Sequence, residues 1–73
     1  GKAEFETGSG NDTPTITGST FPTLDVDLGK GDDSLTITNT TVTTKTLLDG
    51  GPGTNTFTDR GGNTLNGLKK KNF

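Results

Sequence analysis

Apolar and polar residues alternate strictly through LDVDL (Leu24 to Leu28) and again through SLTIT (Ser34 to Thr38). Period-two alternation predicts two strands, each with one inward face. Between them lies a glycine turn, GKGDD at 29–33, and it has counterparts in GSGND at 8–12 and GPGTN at 51–55. The turns are 21 and 22 residues apart. Superimposing the three copies aligns more than the turns. Ahead of the turn, Ala3, Phe5 and Thr7 fall on Leu24, Val26 and Leu28, then on Thr46, Leu48 and Gly50. Beyond it, Pro14 and Ile16 fall on Leu35 and Ile37, then on Phe57 and Asp59. Phe21 matches Val42, and a one-residue slip brings Leu65 to the same place.

Each copy reads as an alternating strand, a Gly-x-Gly turn, a second alternating strand, a Thr/Asn/Gly corner and a weaker third strand. Residues that share a place in the repeat share a polarity, as a coil stacked on its own copies requires. The expected fold is all-β: a parallel β-helix, or β-solenoid, of about three coils of 21–22 residues, forming one segment over 1–73. Phe5, Val26 and Leu48 are expected to share an interior column, with Ile16, Leu35, Ile37 and Phe57 completing the core. The last stretch, 59–73, breaks the pattern. Asp59 replaces an inward Ile, Gly61 and Gly62 loosen the corner, and Lys70 stands where an apolar residue belongs. A worn repeat and a terminal cap both fit. Pro14 removes a ladder donor from its strand.

Composition sharpens the choice between this fold and disorder. Only 22% of the 73 residues are apolar, too few for a conventional globular core. High polarity of that kind also suits a disordered chain. The dominant polar residue, however, is Thr with 17 copies, a strand former rather than a disorder promoter. A formal charge of −2 gives no reason to expect nucleic acid or a membrane surface as partner. Lys69, Lys70 and Lys71 form the basic run and read as a solvated tail. Without Cys there is neither a disulfide scaffold nor a thiolate metal site. No apolar stretch approaches the ~18 residues of a membrane span. The chain enters the repeat at Lys2, as a processed or truncated product would.

GKGDDSLTI (Gly29 to Ile37) resembles the hemolysin-type (RTX-like) calcium-binding repeat, in which a glycine turn with an Asp is followed by an apolar residue. GGPGTNTFT (Gly50 to Thr58) and TGSGNDTPT (Thr7 to Thr15) resemble it too, with Asn55 in place of Asp in the former. The longer period, with one such turn per coil, is similar to Thr-rich β-helical repeats of large bacterial surface and secreted proteins. That resemblance implies an extracellular or cell-surface location and calcium between stacked turns. In the family the nonapeptides run without interruption, whereas 12 or 13 residues separate them here.

Stacking would bring Asp12 over Asp33, with Asn11 and Asp32 beside them and Asn55 below. A Ca²⁺ ion would relieve the repulsion between such carboxylates; alternatively, these side chains cap turn amides and face water. A second candidate is the outward array of Thr13, Thr15 and Thr17 over Ser34, Thr36 and Thr38, then Thr56 and Thr58. Its T-x-T pattern is similar to the faces of β-helical ice-binding proteins and could equally meet a glycan, although Thr ladders also stabilise ordinary sheets. Catalysis is not expected. His and Cys are missing, and the pairs Glu4/Glu6 and Asp25/Asp27 lie on outward positions with no apolar pocket to raise a carboxyl pKa. The expected role is a stalk, matrix or fibre element that self-associates through its open solenoid ends, possible calcium included; the alternative is an adhesive module using the Thr face.

Overall fold

The structure, a computed structural model, describes residues 2–73. Among the described residues there are eight strands and no helix: β1 (Lys2–Glu6), β2 (Thr15–Thr17), β3 (Thr20–Asp27), β4 (Ser34–Thr38), β5 (Thr41–Asp49), β6 (Thr56–Asp59), β7 (Thr64–Leu65) and β8 (Leu68–Lys71). Every pairing is parallel. One wall contains β1, β3 and β5, followed by β7 and β8 side by side along β5; the other runs β2, β4, β6. The chain is thus a β-solenoid of about three coils.

Residues about one repeat apart lie over one another. Ala3 pairs with Leu24, which pairs with Thr46, which pairs with Leu68; Phe5, Val26, Leu48 and Lys70 form the next inward column. Across the coil, Ile16, Ile37 and Asp59 share a column, and Leu35 sits over Phe57. Leu24, Val26, Leu28, Leu35, Ile37, Val42 and Leu48 are fully enclosed, with Ile16 close behind. This apolar spine is one or two side chains wide. Burial of each contributes about 1.5–3 kcal/mol, and the ladders between coils pair the backbone of successive rungs.

Two expectations need correction. In the first two copies the weaker third strand is not separate: it continues into the first strand of the next copy, so Phe21 and Leu24 belong to the single strand β3, while in the last copy β7 and β8 stay apart. The coil therefore has two walls, not three. The length difference between copies is absorbed inside that continuous strand, where the register shifts between Phe21 and Thr23. Phe5 is not interior either. It holds its place in the column over Val26, but it lies on the outermost rung and stays 38% exposed, touching Phe21 edge-on at 6.1 Å. In its own wall, Phe5 has a neighbouring rung on one side only. Phe57, on the last rung of its wall, is only half-buried. Pro14 acts as its chemistry requires: its carbonyl accepts from Thr36 N–H at 3.1 Å, but it has no donor to return, and β2 begins one residue later.

The turn glycines are fixed by their neighbours as well as by backbone angle. Gly31 has φ of +116°, and a Cβ there would strike the carbonyl of Gly10 in the coil above; Gly51, at +72°, would strike that of Gly29. Backbone rests directly on backbone at this corner, which leaves no room for a side chain.

Candidate functional site

Two columns of side chains flank the Gly-x-Gly corner, and both turn toward neighbouring coils. In the first, Asn11 Oδ1 accepts the backbone N–H of Asp32 at 2.9 Å, and Asp32 Oδ1 accepts that of Thr54 at 2.8 Å. In the second the direction reverses. Asp12 N–H donates to Asp33 Oδ1, and Asp33 N–H donates to Asn55 Oδ1, both at 2.8 Å. Each coil is thus pinned to the next by side-chain acceptors that run down one column and up the other. Asn55 goes further, its Nδ2 donating to Gly51 O at 2.9 Å and to Asn72 O at 3.1 Å. Four of these residues, Asn11, Asp32, Asp33 and Asn55, do cap turn amides, but those of the adjacent coil rather than their own.

Asp33 is the most enclosed member, 2% exposed, although a carboxylate is among the least readily buried groups. Its Oδ2, like that of Asp12, is buried without a hydrogen-bond partner. Ca²⁺ takes six to eight oxygens. Here Asn11, Asp32, Asp33 and Asn55 each commit one oxygen to a backbone donor. Among the described residues, no group of three or more His, Cys, Asp or Glu could hold a metal ion. Oδ2 of Asp12 and Oδ2 of Asp33 are the carboxylate oxygens at this corner that stay buried and uncommitted.

Capping within the turns falls to residues that the sequence pattern marks only as outward or misplaced acids. Asp27 Oδ1 accepts from Gly29 N–H at 3.1 Å, Asp49 Oδ1 from Gly51 N–H at 2.8 Å and Asp59 Oδ1 from Gly61 N–H at 2.9 Å. Asp-x-Gly is the shared signal, and an acceptor two residues before a turn glycine was its legible meaning. The Asn72 side-chain amide, then Gly51 N–H, hold the Asp49 carboxyl below its ordinary pKa. Asp59 is lowered by Gly61 N–H and then by Asn63. Asn63 also accepts the Thr40 N–H at 2.9 Å and donates to Ile37 O at 2.8 Å, so it braces the opposite corner.

On the outer side of the three-stranded wall, Thr15, Thr36 and Thr58 lie in register, as do Thr17 with Thr38 and Ser34 with Thr56. Thr13 precedes β2, exposed, one rung above Ser34, whose N–H donates to Asp12 O at 2.8 Å. The array spans three rungs in its first two columns, whereas Arg60 follows Thr38 and interrupts the third. The outward face of the five-stranded wall is charged instead. Lys2 Nζ lies 3.2 Å from Glu4 and 3.6 Å from Asp25, and the Glu4 contact raises the Lys2 pKa. A shallow depression of about 210 Å³ is lined by Asp25, Leu47, Leu48, Asp49, Lys69 and Lys71.

Comparison with family models, curated proteins and solved structures finds no match.

Proposed function

We propose that this chain is a non-catalytic structural element of an extracellular or bacterial cell-surface protein, a stalk, matrix or fibre unit whose solenoid stacks end to end. The observation that carries this reading is the state of the terminal rungs. β1 and β8 lie at opposite edges of one parallel wall, and among the exposed large apolar residues Phe5 lies on one of these rungs and Leu68 on the other. Unpaired edges with apolar residues favour addition of a further rung. In this reading the turns hold without an ion, because hydrogen bonds between coils take the place that calcium has in the rolls they resemble. Electron microscopy and sedimentation of the purified chain test the proposal: elongated assemblies are expected, and a folded particle that stays monomeric at high concentration would falsify it.

The Thr array favours a second reading, an adhesive module for glycan or ice. Three registered rungs of Thr on one wall offer a regular field of hydroxyl and methyl groups. Replacing Thr15, Thr36 and Thr58 with Lys separates the two readings. It leaves assembly intact under both and abolishes glycan retention or thermal hysteresis only under the second.

A further inference from the structure

Along the outer face of the five-stranded wall, charge changes sign within single columns. One column reads Glu4, Asp25, Leu47, Lys69, and the next reads Glu6, Asp27, Asp49, Lys71. In these two columns the rung at one end carries Glu4 and Glu6, with Lys2 beside Glu4, and the rung at the other carries Lys69 and Lys71, at equivalent places in the repeat. Between them on the inward side, Phe5 occupies the column that ends in Lys70. Lys70 already uses its charge on an aromatic face, with Nζ 5.3 Å from the centroid of Phe57.

We infer that the stacking proposed above is head-to-tail and set in register by charge, β8 of one copy pairing in parallel with β1 of a second copy. Continuing the ladder by one rung places Leu68 on Ala3 of the second copy, Lys69 on Glu4, Lys70 on Phe5 and Lys71 on Glu6. Neighbouring side chains across adjacent strands stand about 5 Å apart, within ion-pair reach for Lys and Glu. A shift of one residue would bring the inward face of one copy against the outward face of the other, so this register is the one that keeps the apolar and charged columns continuous. A head-to-head contact would oppose Glu to Glu, and tail-to-tail would oppose Lys to Lys. The three-stranded wall ends one rung earlier, at β6. There Phe73 packs edge-on to Phe57 at 6.0 Å, so an aromatic ring partly fills that end and the joint is carried by the longer wall.

This inference rests on the stacking reading, and a charge-swap experiment separates the two. Sedimentation velocity is run on the chain, on E4K/E6K, on K69E/K71E and on an equimolar mixture of the variants, with circular dichroism confirming that each is folded. All four positions are exposed, which favours folding of both variants. The unmodified chain is expected to assemble, and to do so less as salt rises from about 20 mM to about 500 mM. Either variant alone should assemble at least ~100-fold more weakly, since like charges then meet at every joint. The mixture should recover assembly, because an all-basic unit alternates with an all-acidic one. Assembly that is indifferent to salt and to both variants overturns the charged register while leaving stacking intact. Weak variants that the mixture fails to rescue also overturn the register. A folded, monomeric unmodified chain overturns register and stacking together.

Discussion

At the Gly-x-Gly corner the three copies share their φ angles to within 5°, with 75°, 73° and 72° at Gly8, Gly29 and Gly51 and 111°, 116° and 115° at Gly10, Gly31 and Gly53. The opposite corner carries Gly18 at 60°, Asn39 at 49° and the pair Gly61 and Gly62 at 100° and 70°. Both corners need left-handed backbone, but on the inner rungs a Cβ at the first would strike main chain, whereas at the second one on Gly62 would strike the Asn39 side chain. A Cβ on Gly18 would meet nothing within 4 Å, whereas one on Gly31 meets a carbonyl of the coil above. Uniformity follows from stacking distance: where main chains touch, one residue type fits in every rung. Where side chains such as Asn63 mediate the contact, sequence and length can vary.

Breaking the first corner should have the largest effect. Gly31→Ala combines left-handed strain with the clash against Gly10 and is expected to lower stability by about 3 kcal/mol or more, read as a fall in Tm. Gly18→Asn at the second corner reproduces what Asn39 already does and should stay within about 0.5 kcal/mol. Equal losses at the two positions would abolish the distinction. Next in size is Asp33→Ala, which leaves the Asp12 N–H without its acceptor and should cost about 1–3 kcal/mol in a denaturant titration. Asp33→Asn instead keeps that acceptor and adds an amide like the one Asn55 directs to Gly51 O. It should therefore match or exceed the parent in Tm, and EGTA should shift neither protein. A drop in Tm with EGTA would return calcium to the turns.

The smallest expected effect is acid loosening at the C-terminal rung. Because Asp49 has its pKa lowered in the folded state by Asn72 and Gly51, its contribution is present above the ordinary carboxylate pKa of ~3.9 and disappears as pH falls through the lower folded value. Asp59 follows the same sign at the opposite corner. Amide exchange should show β8 and the 61–63 corner loosening below about pH 4, before the middle coils. Simultaneous release of all coils would contradict this order.

Much of the architecture is legible from the repeat, because a 21-residue spacing and a period-two pattern together assign both the wall and the side of each residue. Val26 over Leu48 and Ile16 over Ile37 follow directly. The fused strand does not, since Phe21 and Leu24 have an odd separation that alternation alone reads as a break. A β-bulge-like register shift accommodates it. Nor does the exposure of Phe5, which depends on how many rungs surround it. At the turns, the stacking of Asn11, Asp12, Asp32, Asp33 and Asn55 is deducible from spacing. The choice between metal and main chain as their partner is not: it depends on whether a neighbouring N–H comes within hydrogen-bond reach, a matter of about an ångström.

The register shift between Phe21 and Thr23 has a practical corollary. Opposite it, Thr43, Thr44 and Lys45 all face water, and the third coil takes a shorter path through Asn66 and Gly67 in the same region. Coils of unequal length already coexist there while the glycine corner keeps its geometry. Foreign peptides grafted between Thr43 and Thr44 should then be displayed as loops along the flank of an otherwise unaltered scaffold.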